Sequence, residues 1–262
     1  STYSLAPNYL QNFVADNHTS PEIILPITYD GAKTQSWGGM VYLVHAPIGG
    51  TMLPDEMFGV AGGWWGIRTT SAFVDKLDDI SGSTDKRALF WTDGQTLEIN
   101  DIGQFTEGYG LTKFRNRKLN GADPDSDHPD FVDTDYPMFR LADAYLMFAE
   151  AVLRGGTGGS PTEALDYVND LRERAYGDTS GNIASGDLTL DFILDERARE
   201  LYWEGHRRTD LIRYGRFTGG TYVWPWKGKV PDGTATDAFR NLFPIPADDI
   251  AVNPTLDQND VS

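Results

Sequence analysis

The sequence predicts a mainly α protein with irregular loops and short strands. Two observations lead to this fold class. Apolar residues recur with the 3.6-residue period of a helix only between residues 136 and 215, whereas the flanking segments are broken up by glycine, proline and aromatic residues. With 28 Gly and 14 Pro among 262 residues, the chain cannot be a helical bundle throughout.

Residues 1–135 are predicted to form a region rich in loops and strands. The segments 22–27 (EIILPI) and 39–44 (GMVYLV) are strand candidates because they are short apolar runs bounded by glycine or proline. A short helix is predicted over 70–77, capped by Thr70 or Ser71. Residues 86–106 are predicted as a small hairpin or as edge strands, with a turn at Asp93-Gly94.

Residues 136–215 are predicted to form the helical core, which begins with an antiparallel pair of helices. The first runs from residue 136 to residue 153, with Pro137 in its first turn. The second begins with a capping box of Ser160 and Glu163 and closes at Gly177. The short loop and the small residues at the contact positions make this pair similar to one tetratricopeptide unit.

A single long helix is predicted over residues 189–214, capped by Thr189. Its apolar stripe includes Ile193, Leu194 and Leu201. The remaining residues, 216–262, are predicted to be an irregular tail, because aromatic residues and prolines occur there without helical periodicity.

Charge and composition exclude several classes of protein. The chain has 22 Lys and Arg against 39 Asp and Glu, a net charge of −17, which disfavours nucleic acid and anionic membrane surfaces as partners and favours a neutral ligand. The absence of cysteine excludes disulfides, thiolate nucleophiles and cysteine-ligated metals. The longest apolar run is far shorter than the about 20 residues that a membrane-spanning helix requires, and no signal peptide is visible.

Several runs of sequence occur in an order known from one family. They are YPMFRLADAYLMFAEAV, PTEALDYVNDLRERA, LTLDFILDERARELYWEGHRRTDLIRYG and NLFPIPADDIAVNPTLDQN, and FVADNHTSPEIILPI lies upstream of them. Together they resemble the C-terminal half of the SusD/RagB family, and the resemblance covers nearly all of the chain. It implies a SusD-like fold for residues 1–262, which we expect to be a C-terminal SusD/RagB domain without the family's N-terminal half.

The resemblance also implies a function. Members of this family are outer-membrane lipoproteins that capture nutrients, mostly glycans, for a SusC-like TonB-dependent transporter. The chain is therefore expected to bind an oligosaccharide or polysaccharide at the extracellular face of the outer membrane, with contact to the membrane only through an N-terminal lipid anchor outside this sequence. Two alternatives stay open: a peptide-capturing member of the same family, and a tetratricopeptide-type protein-interaction module without a small ligand.

The acidic residues of the third helix do not suggest catalysis. Glu196, Glu200 and Glu204 are four residues apart and would share one helix face. Carboxylates that point the same way cannot flank a glycosidic bond, as a glycosidase requires, so we predict a network of ion pairs with arginine and a protein that is not an enzyme. By the resemblance, the structural signature residues are Arg140, Asp143, Glu150, Glu196, Glu200, Arg207 and Asp210.

Aromatic residues in the glycine-rich segments are the candidates for ligand binding. The apolar face of a sugar stacks on the plane of a tryptophan or tyrosine ring, and nearby donors hold its hydroxyl groups. We predict ligand-binding roles for Trp37, Tyr42, Trp64 and Trp65, with Arg68 as the donor. The alternative for each aromatic residue, taken singly, is buried packing.

A run of alternating aspartates suggests calcium. Asp123, Asp125 and Asp127 have the spacing of oxygen ligands in a calcium loop. The EF-hand pattern fails, because His128 stands at the position of its turn glycine and Thr134 at that of its bidentate glutamate. A solvated acidic loop is the alternative, and calcium is the only cofactor that the sequence brings into consideration.

Overall fold

The computed structural model describes residues 2–259. Its strands are β1 (Ile23–Ile27), β2 (Phe90–Trp91), β3 (Gly110–Leu111) and β4 (Tyr136–Arg140), and its α-helices are α1 (Met40–His45), α2 (Ser71–Val74), α3 (Leu141–Leu153), α4 (Pro161–Tyr176), α5 (Leu190–Leu201), α6 (Arg207–Arg213) and α7 (Ala247–Val252). Single 3₁₀ or π turns lie at Tyr9–Phe13, Asn17–Thr19, Pro54–Phe58, Thr179–Gly181, Lys227–Lys229 and Ala238–Asn241. Two compact units are divided between Gly205 and His206.

The strands form two small antiparallel sheets. β1 pairs with β4, from Ile27 opposite Tyr136 to Ile23 opposite Arg140, so the predicted strand at 22–27 is confirmed. β2 pairs with β3. The predicted hairpin within 86–106 is therefore wrong in its second strand, because the partner of Phe90–Trp91 is Gly110–Leu111. The chain turns after β2 but makes only an isolated bridge, at residue 96, before it reaches β3.

The predicted helix over 136–153 begins later than expected. Residues Tyr136–Arg140 are β4, and the helix starts at Leu141. Pairing with β1 outweighs the helical periodicity here: Arg140 is extended (φ −135°, ψ 158°), and the Leu141 N–H donates to the Glu22 carbonyl at 3.0 Å. Pro137 is therefore a strand residue, opposite Pro26 of β1, and not a first-turn helix residue.

The predicted strand at 39–44 is wrong, because this segment is helix α1. Met40, Val41, Val44 and His45 are its buried residues, and their spacing places them on one helix face. A short apolar run fits a strand and a buried helix equally well by pattern alone. Gly39 precedes the helix with φ +59°, and a Cβ there would lie 1.9 Å from the Tyr29 hydroxyl, so only glycine fits.

Helices α3, α4 and α5 pack together as the helical core of the first unit. The predicted capping box of α4 is confirmed: Ser160 accepts from the Glu163 N–H, the Glu163 carboxylate accepts in return, and Gly177 closes the helix with φ +83°. Thr189 caps α5, as predicted. α2 is shorter than the predicted helix over 70–77, and the Thr70 side chain makes no capping hydrogen bond.

Substitution of the α4 cap should lower stability measurably. Ser160→Ala is expected to reduce the free energy of unfolding by about 1 kcal/mol, because it removes one acceptor for the orphan N–H groups of the first turn. The measurement is urea unfolding followed by circular dichroism. Thr162→Ala, two residues further along and exposed, is the control, and equal effects of the two substitutions would contradict the prediction.

The long helix predicted over 189–214 is two helices. α5 ends at Leu201, and α6 begins at Arg207. The intervening turn holds Trp203 at φ +62° and Gly205 at φ +81°. Specific bonds make this break: the Tyr202 hydroxyl donates to the Arg87 carbonyl at 2.7 Å, and the Trp203 indole donates to the Leu43 carbonyl at 3.1 Å.

Two hydrophobic clusters form the core of the first unit. One joins the N-terminal segment and α1 to the loops before β4, and it includes Tyr9, Phe13, Met40, Val44, Ile48, Phe58, Phe114 and Tyr202. The other lies between the three long helices and includes Ala142, Leu146, Ala149, Ala164, Val168, Leu171, Ile193 and Leu201. The small residues on α3 and α4 are those expected at contacts between closely packed helices.

Eleven charged side chains form a continuous, mostly buried ion cluster in the first unit. They are Glu22, Asp85, Arg87, Lys113, Arg140, Arg172, Arg174, Glu196, Arg199, Glu200 and Glu204. Arg140 is its centre and bonds to three carboxylates, those of Glu22, Glu200 and Glu204, each at 2.7 Å. Six cations face five carboxylates, so every carboxylate of the cluster has at least one cation partner, as buried charges require.

The cluster makes stability sensitive to acid. Despite burial, neighbouring arginines hold the pKa of Glu196 at about 2, and they lower the pKa of Glu200 as well. Because the carboxylates bind protons more readily in the unfolded chain, their contribution is complete above about pH 5 and is lost as the pH falls toward 2. The melting temperature, measured by calorimetry from pH 7 to pH 2.5, should therefore fall steadily below pH 5. A constant melting temperature down to pH 3 would contradict this.

The second unit contains α6, α7 and the connecting tail. Within it, the Arg208 guanidinium lies 3.9 Å from the centre of the Phe243 ring and donates to the Arg240 and Asn241 carbonyls. The tail is largely irregular, as predicted, apart from α7 and two 3₁₀ turns. Across residues 2–259, no helix is long and apolar enough to cross a membrane.

Candidate functional site

Four aromatic side chains form a row on the surface of the first unit. The row, here called the aromatic arc, consists of Trp37, Trp64, Tyr42 and Trp203, whose successive ring centres are 6.3, 6.1 and 6.3 Å apart. Trp37, Trp64 and Tyr42 remain 58%, 40% and 41% exposed. Large exposed rings in one contiguous patch are uncommon on a surface that binds nothing.

Four segments of the chain carry the arc. Trp37 lies in the glycine-containing loop just before α1, Tyr42 lies on α1, Trp64 lies on the loop 62–66 that packs beside α1, and Trp203 lies in the turn after α5. The Trp64 N–H donates to the His45 carbonyl at 3.0 Å, which fixes this loop to the end of α1. Gly63 permits the close approach, since a Cβ there would lie 2.3 Å from the Ile48 carbonyl oxygen.

Buried rings support the arc from beneath. The His45 imidazole, 1% exposed, stacks under Trp64 with ring centres 5.3 Å apart and an angle of 22° between the planes. Phe131 lies against Trp37 at 5.0 Å, and His128 against Phe131 at 4.4 Å. The two most prominent rings of the arc are thereby held in place before any ligand arrives, which reduces the entropy lost on binding.

Of the five predicted ligand-binding residues, the structure brings three together. Trp37, Tyr42 and Trp64 belong to the arc, whereas Trp65, in the left-handed region at φ +57°, lies against Phe105 at 5.4 Å. Adjacent tryptophans thus contact different rings: Trp64 lies against Trp37, Tyr42 and His45, and Trp65 lies against Phe105. Sequence alone could not separate them, because the direction of each side chain depends on a backbone conformation that a non-glycine residue rarely adopts.

Arg68, the predicted donor, is bonded to the backbone of the 102–107 loop. Its guanidinium donates to the backbone carbonyls of Glu107 at 2.8 Å, Ile102 at 3.0 Å and Gln104 at 2.9 Å. It also lies 5.6 Å from the ring of Phe105, on the side of Trp65. Arg68 therefore holds the 102–107 loop, and its role as a donor to the ligand stays a prediction.

Trp203 is the member of the arc that was not predicted from the sequence. In the predicted continuous helix over 189–214, Trp203 would lie on a helix face. The turn after α5 instead directs its side chain to α1, where the ring centre lies 6.3 Å from that of Tyr42. A signal was present: Gly205 follows an aromatic pair at the end of an apolar helical pattern, which is typical of a helix C-terminus.

The predicted signature residues are engaged in structural bonds. Arg140, Glu196 and Glu200 belong to the buried ion cluster. The other four form separate contacts: Asp143 pairs with Arg197 at 2.7 Å, Glu150 with Arg154 at 2.8 Å, Asp210 with Arg213 at 2.8 Å, and Arg207 donates to the Tyr222 hydroxyl at 2.9 Å. All of the cluster's carboxylates are buried and paired with cations, an arrangement that leaves none of them exposed to a substrate.

The aspartates proposed for calcium do not converge. Asp123 pairs with Arg117, and Asp125 pairs with Lys118 at 2.5 Å. Nowhere in residues 2–259 do three His, Asp or Glu side chains gather closely enough to hold a metal ion. A calcium site formed by Asp123, Asp125 and Asp127 would require both ion pairs to open. It stays a prediction, which a calorimetric titration with calcium checks.

Comparison with known proteins agrees with this architecture. The chain is 34% identical to the starch-binding protein SusD of Bacteroides thetaiotaomicron over 99% of its own length and 53% of that protein's. Among solved structures, surface glycan-binding protein A from Bacteroides thetaiotaomicron in complex with laminarihexaose superposes with a TM-score of 0.72 at 23% identity, over 98% of this chain and 56% of that one. The same protein from Bacteroides fluxus gives 0.71 at 20% identity, over 100% and 55%.

These comparisons confirm the predicted mainly α, SusD-like fold and the resemblance seen in the sequence. The chain spans about half the length of the SusD relative that it matches, 53%. The SusD family itself matches residues 21–261, which is nearly the whole sequence. On this evidence the chain belongs to the SusD family.

Proposed function

We propose that this chain binds a neutral glycan, without cleaving it, through the aromatic arc. The observation that carries the proposal is the row of Trp37, Trp64 and Tyr42, exposed on one side and supported by buried rings on the other. Flat aromatic rings at a fixed spacing match the apolar faces of successive sugars in a chain. The names of the similar proteins support this choice of ligand, since one binds starch and another was solved with laminarihexaose.

The charge of the chain narrows the class of glycan. A net charge of −17 repels sulfated and uronic-acid polymers, because their charges would add to those already on the protein. A neutral glucan carries no such penalty. We propose binding without cleavage because the carboxylates of the ion cluster are buried and paired with cations. The name of the SusD relative, which describes binding, supports the same choice.

The wider biological role is proposed from family membership. The glycan would be captured at the extracellular face of the outer membrane and passed to a SusC-like TonB-dependent transporter. The complete protein would be attached to the membrane by an N-terminal lipid anchor outside this sequence. Support for this part comes from the family match over residues 21–261 and not from a particular contact.

Titration calorimetry tests the binding function. Laminarihexaose and maltoheptaose are the neutral probes, polygalacturonate is the anionic probe, and a mixture of short peptides represents the peptide-capturing alternative. Binding of at least one neutral probe, with none of the anionic one, is the expected result. Tight binding of polygalacturonate, or of peptides with no neutral glycan bound, would overturn the proposal. Failure of all four probes would favour the protein-interaction alternative.

A further inference from the structure

The buried histidine beneath the arc is bonded to two acceptors. His45 Nδ1 lies 2.7 Å from the Gly62 carbonyl oxygen, and Nε2 lies 2.8 Å from the Asp130 carbonyl oxygen. A carbonyl oxygen can only accept a hydrogen bond. A neutral imidazole has one N–H, so it can satisfy one of these oxygens and must turn a lone pair toward the other. Only the doubly protonated ring donates to both.

The two carbonyls belong to the segments that carry the arc. Gly62 begins the loop 62–66, which carries Trp64, and Asp130 precedes Phe131, the ring that supports Trp37. The His45 ring also stacks under Trp64, where a positive charge would be attracted to the face of the indole. One side chain therefore joins α1 to both loops and touches the central ring of the arc.

We propose that His45 is a positioning residue for the glycan-binding surface and acts as the imidazolium. Loss of its second proton would replace a charge-assisted hydrogen bond by a contact between two lone pairs, and the loop that carries Trp64 or the one that carries Phe131 would separate from the ring. This inference rests on the proposed glycan-binding function of the arc. It adds the expectation that affinity falls as the pH rises.

Other titratable groups lie on the segments that pack around His45. Tyr42 is on the same helix, the loop 62–66 carries none, and His128 and Asp130 are on the remaining segment. His128 Nδ1 accepts from the Asp130 N–H at 3.1 Å and from the Phe131 N–H at 3.2 Å, so this nitrogen carries no proton. The two histidines thus have opposite requirements: His45 needs both protons, and His128 needs Nδ1 free to accept.

A measurement without ligand tests the proposal directly. In long-range ¹H–¹⁵N spectra of the full chain at pH 6, both ring nitrogens of His45 should be protonated. The Trp64 indole resonance, identified by its loss in Trp64→Phe, should shift as His45 deprotonates, and it should not follow the pH in His45→Gln. A neutral His45 ring at pH 6, or a Trp64 resonance that ignores the titration of His45, would overturn the proposal.

A binding measurement links this state to function. The probe is whichever of laminarihexaose and maltoheptaose the wild-type chain binds. Between pH 6 and pH 9 the affinity of the wild-type chain for it should fall about tenfold, a change that corresponds to the loss of one charge-assisted hydrogen bond. His45→Gln should bind about tenfold more weakly at pH 6 and show no pH dependence. His18→Gln, which replaces an exposed histidine, should retain the wild-type profile. Equal pH profiles for the wild type and His45→Gln would overturn the proposal.

The two kinds of failure are distinguishable. If neither glucan binds at any pH, the proposed function fails, while the spectra of His45 and Trp64 still decide whether the imidazolium holds the loop. If a glucan binds with an affinity that neither pH nor His45→Gln changes, the positioning role fails, and the proposed function stands.

Discussion

Arg140→Met should destabilise the protein by about 4 kcal/mol, because it leaves buried carboxylates without their central cation. Arg140 bonds to Glu22, Glu200 and Glu204 at 2.7 Å, and its side chain is 1% exposed. Methionine fills similar space but donates no hydrogen bond. Glu22, Glu200 and Glu204 therefore each lose a buried hydrogen bond. Urea unfolding monitored by circular dichroism measures the change in the free energy of unfolding.

The matched control is Arg117→Met. Arg117 also bridges two carboxylates, but its partners, Asp55 and Asp123, are 86% and 82% exposed and return to water when the arginine is lost. The expected cost is below about 1 kcal/mol. In addition, Arg140→Met combined with Glu204→Gln should be less destabilising than the sum of the two single changes, because the loss of one buried carboxylate offsets the loss of one buried cation. Similar losses for Arg140→Met and Arg117→Met would show that burial of the cluster is energetically unimportant.

Trp64→Ala should weaken glycan binding about 30-fold, equivalent to about 2 kcal/mol, as expected for the central aromatic residue of a binding surface. Trp64 contacts Trp37 on one side and Tyr42 on the other, and it covers His45. Its removal therefore divides the arc. Calorimetry with the neutral glucan that binds the wild type gives the change in affinity.

The neighbouring residue provides the control for this change. Trp65→Ala removes the same side chain from the adjacent position, but Trp65 contacts Phe105 and is not part of the arc. Its effect on affinity should stay within about twofold, since surface changes away from a binding site have small effects. Melting curves of both variants verify that each is folded. An equal or larger loss for Trp65→Ala would contradict the assignment of the arc.

The helical core was the most predictable part of the fold. The capping box at Ser160 and the cap at Thr189 act through bonds within one turn, so short stretches of sequence contain all the information needed. The errors came where contacts distant in sequence decide the outcome. Tyr136–Arg140 became a strand because β1, more than 100 residues earlier, supplies its partner.

The binding surface was predictable only in its composition. Exposed aromatic residues in glycine-rich loops indicated a ligand site, but the sequence could not tell that Trp64 and Trp65 contact different rings. That difference depends on a left-handed backbone at Trp65. Trp203 was missed for a related reason, because the break after α5 is made by bonds of Tyr202 and Trp203 to segments more than 100 residues away.

The ion cluster also has a consequence for how the chain folds. Its members come from residues 22 to 204, and the Tyr9 hydroxyl beside it donates to the Glu200 carbonyl, 191 residues further along. Glu196, Glu200 and Glu204 are synthesised last, so the cluster cannot be completed until nearly the whole first unit has left the ribosome. Contacts of such long range slow folding, because a large loop must close, with a loss of chain entropy, before the bonds can form. Glu22 therefore has no cation partner until Arg140 and Arg174 have been synthesised. During this interval the nascent chain is most exposed to aggregation.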